Sequence, residues 1–135
     1  MPVAITLADH GLGVLLTASG MLSGRDVLET NIAFLSRHLE EFKACRYWFA
    51  DFSQVSASTV TEEDLQRVAA LFSWAGRHNL RLVVALSGPR AKESGFSREL
   101  TSLGATTGWT IEVFRSADDA RAWLRSTVQP ELSFI

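Results

Sequence analysis

Two apolar runs of the sequence end in residues that could bind or react with a ligand. These residues are Asp51 and Ser53 after the first run, and Ser87, Gly88, Arg90 and Lys92 after the second. Ligands of open α/β sheets collect beyond the carboxyl ends of the parallel strands, so the predicted loops 51–59 and 87–94 can face one another. A hydroxyl, a flexible backbone and two cations ahead of a helix can hold a phosphate or carboxylate. The alternative is a solvated loop with a Gly-Pro turn, in which Asp51 and Ser53 satisfy backbone N–H groups.

An enzyme built on these residues would use Asp51, Ser53 and Arg90. No histidine lies near Asp51 or Ser53 in the sequence to complete a proton relay, so we expect the protein not to be an enzyme. Metal ligands would have to come from His10, His38, His78 and Cys45, and their spacing does not match that of known metal sites. The sequence therefore predicts no metal site and no cofactor.

Length and composition fit one globular domain. The chain has 135 residues, of which 47% are hydrophobic and 21% charged, with a formal net charge of −2. Such a chain can bury a self-sufficient core, and its charge gives no reason to expect nucleic-acid binding. The single cysteine, Cys45, indicates a reducing compartment, so we expect a cytoplasmic protein. No segment approaches the roughly 20 apolar residues of a membrane span, and we expect no membrane insertion.

The first half of the chain reads as a hairpin followed by a helix. Val3–Leu7 and Val14–Ser19 are short apolar runs around a glycine-containing turn, which predicts two antiparallel strands. Ser23 is the predicted N-cap of a helix. Apolar residues then recur every three or four positions from Leu28 to Phe42, which predicts one long amphipathic helix.

The remaining elements alternate between strands and helices. The runs Tyr47–Phe52 and Leu80–Leu86 are apolar nearly throughout, as in central strands covered on both faces. Thr61 and Ser116 are predicted N-caps, and the alternation in Trp109–Phe114 predicts an edge strand. We therefore predict an α/β fold with a mostly parallel five-stranded sheet, an N-terminal β-hairpin and four helices, in the order β-β-α-β-α-β-α-β-α. Residues 1–128 would form this domain, and residues 129–135 a tail.

The aromatic content exceeds what one small core needs, with four tryptophans and eight phenylalanines. Phe34 lies off the apolar stripe of the first predicted helix, and Leu71 and Trp74 lie off that of the second. Such side faces predict either the interface of a homodimer or protein partner, or a cavity for an acyl or isoprenoid ligand. The alternative is that each helix has a broad stripe facing the core.

Three strings, together with the order of elements, carry a likeness to a known group of domains. They are Thr17–Ser23 at the end of the hairpin, Phe49–Val55, and Ile111–Ala120 leading to Trp123 and Leu124. On these residues the chain resembles the SpoIIAA-like branch of the STAS superfamily, the sulfate-transporter and anti-sigma-factor-antagonist domains, over nearly its whole length. The resemblance implies a sheet backed by helices, and a protein that binds partners or small apolar ligands rather than catalyses.

One departure from this pattern concerns phosphorylation. Anti-sigma-factor antagonists carry Asp-Ser-Ser-Gly, with a phosphorylated serine, after the strand that corresponds to Tyr47–Phe52, and residues Ser56–Glu62 lack that tetrad. We interpret Thr61 as a helix cap rather than a phosphate switch, because the acidic residues that follow would repel a phosphate. We therefore expect a non-enzymatic, STAS-like interaction module, with a small lipophilic-ligand carrier as the alternative.

Overall fold

Five strands form one sheet in the order in which they occur along the chain. β1 (Val3–Ala8) pairs antiparallel with β2 (Gly13–Leu22), and β2, β3 (Tyr47–Ser58), β4 (Val83–Ser87) and β5 (Thr110–Phe114) are parallel. The helices are α1 (Gly24–Arg37), α2 (Leu39–Ala44), α3 (Glu62–Ala75), α4 (Ser94–Thr107) and α5 (Ala117–Thr127). The computed structural model describes residues 2–88 and 94–128, with the backbone alone for residues 94–98. The predicted α/β architecture is confirmed, and the tail 129–135 lies outside the described residues.

The two faces of the sheet are covered by different helices. Successive residues of a strand point to opposite faces, so β3 contributes to both. Trp48 and Ala50 pack with residues of α1, α2, α3 and α4 in the larger core. Tyr47 and Phe49 pack on the other face with residues of α5, in a smaller group that we call the α5 core (Tyr47, Phe49, Ala85, Ala120 and Leu124). Burial on both faces explains why β3 and β4 read as continuous apolar runs.

All three predicted N-caps are present. The hydroxyl oxygens of Ser23, Thr61 and Ser116 each accept a hydrogen bond from the backbone N–H three residues later, at 3.1 Å. At α3 the arrangement is reciprocal, because the Asp64 carboxylate accepts from the Thr61 N–H at 3.0 Å. These bonds satisfy N–H groups that the first turn of a helix leaves without partners, and so fix where α1, α3 and α5 begin.

The predicted long first helix is wrong in one respect, because it divides into α1 and α2 at His38. The backbone of His38 leaves the helical region (φ −123°, ψ 31°). The break changes which residues face the core: Phe34 is only 6% exposed, whereas Ile32, on the predicted stripe, is 43% exposed. Phe34 and Phe42, on either side of the break, both pack edge-on against Trp48. The described residues therefore form five α-helices rather than four.

The segment after Asp51 is a strand and not the predicted loop. β3 continues to Ser58 because β2 continues beside it to Leu22, and the two strands pair through this region. β4 ends at Ser87, opposite Asp51, so this part of β3 has β2 as its neighbour and no partner from β4. Strands β2 and β3 thus extend beyond the sheet as a two-stranded ribbon, residues 18–22 and 52–58.

Candidate functional site

The ribbon is bent by two irregularities in its pairing. The register shifts between Thr17 and Ser19 and again between Gly20 and Met21, and each shift places an extra residue in β3. Bulges of this kind bend a strand and increase its twist. Gly20 adopts a positive φ of 69°, which glycine accommodates without strain. Ribbon residues Leu22, Phe52 and Val55 form one wall of a space on the face of the sheet that α1, α3 and α4 cover.

That space is a cavity of about 530 Å³. Helix α3 packs against α1 and α4, and its Phe72 ring contacts Trp48 of β3 edge-on, so the space lies between the rest of α3 and the sheet. Among the described residues, the apolar lining consists of Leu16, Leu22, Val27, Trp48, Ala50, Phe52, Val55, Val60, Leu65, Val68, Ala69, Phe72, Val84, Leu86, Leu100, Leu103, Trp109 and Ile111. The volume lies within the roughly 300–1,000 Å³ typical of small-molecule pockets.

The cavity has a buried end and an end that reaches the surface. Trp48, Leu103 and Trp109 are buried lining residues, and the indole N–H of Trp109 is satisfied by the backbone oxygen of Asn79 at 2.7 Å. Among the described residues, the exposed members of the lining are Ser58 and Glu62, on either side of the turn that leads into α3. Between the end of the ribbon and the first turn of α3, the cavity therefore reaches the surface.

Polar side chains are few in the part of the lining that the structure describes: Asn31, Ser58, Glu62 and Glu99. Asn31 differs from the others because it is 1% exposed. Its amide nitrogen donates to the backbone oxygen of Val27 at 2.8 Å, and its Oδ1 accepts no hydrogen bond from the described residues. Sequence reasoning missed Asn31. The signal was its position in α1, where it replaces an apolar residue in the series Val27, Asn31, Phe34 and Leu35.

The predicted site at the strand ends is only partly assembled. Asp51 and Ser87 are register partners, and the Asp51 Oδ1 accepts hydrogen bonds from the Ser87 hydroxyl at 3.0 Å and from the Ser53 N–H at 2.9 Å. None of these three residues lines the cavity, whereas Gly88 does, and its N–H donates to the Phe114 oxygen at 3.0 Å. The carboxylate of Asp51 thus ties β3 to β4, as expected of a residue that stabilises a strand end.

Comparisons with known proteins bear on the fold. No protein-family profile and no curated protein matches the chain. Among solved structures, the crystal structure of an uncharacterized protein of the DUF3478 family from Shewanella loihica, with a SpoIIAA-like fold, matches it with a TM-score of 0.54 at 15% sequence identity. The match covers 90% of this chain and 91% of that one. The chain has a SpoIIAA-like fold. At this level of identity the likeness shows the fold alone.

The other predicted site residues fall in different parts of the SpoIIAA-like fold. Arg90 and Lys92 lie outside the described residues. The prediction that Phe34 lies on a side face is wrong, because the break at His38 lets it pack in the core. Leu71 is partly buried against the same core. Trp74 is 41% exposed, and it lines a surface depression together with Leu80.

Two buried titratable side chains lie at the amino-terminal end of β3, opposite the ribbon. Burial, and then the negative charge of Glu41, raise the pKa of the Cys45 thiol to about 11, so the thiol is protonated at neutral pH. Burial, and then the hydrogen bond to Asp9, raise the pKa of the Tyr47 hydroxyl far above its ordinary range. A thiol held in this form is a poor nucleophile, as expected of a structural cysteine.

The sequence predicts neither a metal site nor membrane insertion. Among the residues that the structure describes, no three His, Cys, Asp or Glu side chains are grouped so that they could hold a metal ion. Within the same residues, every helix is too short or too polar to cross a lipid bilayer.

Proposed function

We propose that the protein binds a small apolar molecule in the cavity between helix α3 and the sheet. The observation that carries the proposal is a space of about 530 Å³ whose described lining is mainly apolar, in a chain of 135 residues. Protein interiors are normally packed as densely as organic crystals, with few voids larger than a water molecule. An engineered apolar cavity of about 150 Å³ already binds a molecule as large as benzene.

The energetic argument also favours an occupant. Apolar side chains around an unfilled space lack dispersion partners on one side, and a ligand of matching shape supplies them. Transfer of the ligand from water adds about 25 cal/mol for each Å² of apolar surface that is buried. The ligand would bind the folded state only, so it would also stabilise the protein against unfolding.

The test blocks the cavity from inside helix α3. Ala69 lines the cavity, and Ala69→Phe places a ring where the ligand would lie. The control is Ala122→Phe, which adds the same ring at an exposed position of α5, on the other side of the sheet. Binding is measured with the neutral, environment-sensitive dye Nile red, and mass spectrometry of the native protein reports any small molecule that is retained on purification.

We expect Ala69→Phe to weaken dye binding by about tenfold or more, equivalent to at least about 1.4 kcal/mol, and Ala122→Phe to leave it unchanged. Wild-type protein that binds no dye, or that loses dye binding equally in both variants, contradicts the proposal. Should Ala69→Phe fail to fold, a retained apolar molecule in the wild-type spectrum still supports it, and its absence together with absent dye binding refutes it.

We infer binding rather than catalysis for the same site. The cavity lining that the structure describes holds no histidine, cysteine or lysine, so groups suited to nucleophilic or general-base chemistry are few. The carboxylate of Asp51, a candidate for an enzyme together with Ser53 and Arg90, accepts hydrogen bonds from the Ser87 hydroxyl and the Ser53 N–H away from the cavity. The protonated thiol of Cys45 is compatible with the reducing cytoplasmic location that we propose.

A second candidate function is a protein interface centred on Trp74. This side chain is 41% exposed and Leu80 is 70% exposed, and the two line the same depression between α3 and α4. Exposed aromatic residues are enriched at interfaces between proteins, including those of homodimers. Sedimentation equilibrium of the wild type and of Trp74→Ser tests for a homodimer, since a monomer in both cases contradicts self-association at this surface.

A further inference from the structure

Helix α3 consists of two halves that differ in how they are held. In the second half, Leu71, Phe72 and Ala75 belong to the larger core or pack against it, and Ala75 is completely buried. The Phe72 ring also contacts Trp48 edge-on, with 5.2 Å between the ring centroids. The second half of the helix is therefore anchored to the sheet.

The first half of α3, residues 62–69, lacks this anchoring. Its apolar side chains Leu65 and Val68 line the cavity and are only partly buried. Within the described part of the chain, neither of them packs with the larger core. The apolar face of this half is therefore turned towards the cavity and not towards a packed interior.

Polar contacts do not hold the first half to the rest of the domain either. Among the described residues, its side-chain hydrogen bonds end on the same helix or its cap, in the pairs Asp64–Thr61 and Arg67–Glu63. Beside α1, Asp64 lies so close to the backbone of Gly24 that a Cβ at Gly24 would overlap its carboxyl group. This is a packing contact, which the helix can leave without breaking a hydrogen bond.

A half-helix held in this way opens at low cost. Most of the stability of a helix in a protein comes from the packing of its apolar face. Segments with few buried apolar contacts open locally, at a free energy well below that of global unfolding. A ligand in the cavity would touch the partly accessible side chains of Leu65 and Val68 and so favour the closed helix.

We propose that residues 62–69 form a lid that opens to admit the ligand and closes over it. The inference rests on the proposed function and specifies how the same cavity is entered. The cavity reaches the surface beside this segment, at Ser58 and Glu62. The chain is fixed on both sides of the lid, because the Thr59 N–H donates to the Leu22 oxygen at 2.8 Å and the second half of α3 packs on the core.

Hydrogen exchange of single backbone amides, followed by NMR and corrected for intrinsic rates, tests the opening. The amides of residues 66–69 report on the lid, and those of Ala75 and Gly76 on the anchored end. In the free protein we expect the lid amides to exchange at least about tenfold faster. Nile red at a free concentration of about ten times its Kd should slow them about elevenfold, since a ligand that binds only the closed form lowers the open population by 1 + [L]/Kd.

The two cavity variants provide matched controls for the effect of the dye. Ala122→Phe leaves the cavity unchanged, so the dye should slow the lid amides as it does in the wild type. Ala69→Phe fills the cavity, so the dye should leave the exchange of its lid amides unchanged.

A disulfide that holds the lid closed tests the route of entry. A Cβ at Gly24 would lie 2.6 Å from the Cβ of Asp64, and disulfides join Cβ atoms about 3.5–4.5 Å apart, so a shift of about 1–2 Å allows Gly24→Cys to pair with Asp64→Cys. Both changes are made in a Cys45→Ala background, which leaves no third thiol. We expect the oxidised protein to bind Nile red at least about tenfold more slowly than the same protein after reduction.

The outcomes separate the lid from the proposed function. Absence of dye binding in the wild type contradicts the proposed function. Lid amides that exchange no faster than the anchored end, or that bound dye does not slow, overturn the lid and leave cavity binding intact. Equal association rates in the oxidised and reduced proteins overturn entry at this segment. If the disulfide does not form, the exchange measurement alone decides.

Discussion

The buried pair of Tyr47 and Asp9 allows a quantitative prediction about stability. The Tyr47 hydroxyl donates to the Asp9 carboxylate, and both residues are buried, where the turn after β1 meets the start of β3. Gly13, on β2, packs against the Tyr47 ring so closely that a Cβ there would overlap it. The ring is therefore held in place by its neighbours, and Tyr47→Phe removes the hydroxyl without moving the ring.

The expected decrease in the free energy of unfolding of Tyr47→Phe follows from the negative charge of the Asp9 carboxylate. A hydrogen bond to a charged group contributes about 1.5–3 kcal/mol, because its loss leaves a buried carboxylate with one donor fewer. For a domain of this size the melting temperature should fall by roughly 5–12 °C. Ligand affinity should not change, since neither Tyr47 nor Asp9 lines the cavity.

Urea unfolding followed by tryptophan fluorescence measures the effect, and Asp9→Asn provides the matched background. Asp9 has a positive φ of 51°, a conformation that asparagine also accepts, so this change removes the charge and keeps the backbone. In that background Tyr47→Phe should cost only about 0.5–1.5 kcal/mol, as for a neutral hydrogen bond. A cost below about 0.5 kcal/mol in the wild type, or equal costs in both backgrounds, would refute the reasoning.

Two further predictions concern stability. Thr61→Ala should lower the free energy of unfolding in urea by about 1 kcal/mol, because it removes the 3.1 Å capping hydrogen bond of α3. Thr61→Ser keeps the hydroxyl and should retain most of this stabilisation. Equal losses in the two variants would contradict the capping account. The raised pKa of Cys45 favours the protonated thiol in the folded state, so stability is complete below about pH 9 and falls as the pH rises towards about 11, by up to about 2–3 kcal/mol. Cys45→Ala should lack this fall. Tyr47 lowers the stability of the wild type and of Cys45→Ala alike above about pH 10, so the difference between their free energies of unfolding isolates the thiol.

Local signals in the sequence predicted the order of elements because each is a short-range property. The three caps depend on a hydroxyl three residues from an N–H, and the apolar runs of β3 and β4 reflect burial on both faces. The exception is the segment 52–58, whose serines suggested a loop. Its pairing partner is the end of β2, distant in sequence, and only this pairing makes it a strand.

The sequence offered a cavity only as one of two uses for the apolar side faces of the helices, because its existence depends on the distance between α3 and the sheet. The helix carries Leu65, Val68 and Phe72 on one side whether it packs on the strands or stands away from them. The break at His38 is equally hidden, and it decides that Phe34 rather than Ile32 faces inward. Asn31 becomes informative only when the space beside it is known.

The α5 core has a consequence for how this protein can change over evolution. None of its five residues lines the cavity, which lies on the other face of the sheet. Lining substitutions on helix α3, such as Ala69→Phe, therefore lie away from Tyr47, Phe49 and Leu124, and mutational effects at distant, independent sites are close to additive. Trp48, Ala50 and Val84 belong both to the lining and to the larger core, so substitutions at these strand positions would disturb folding as well as the cavity, whereas those on α3 would chiefly reshape the cavity.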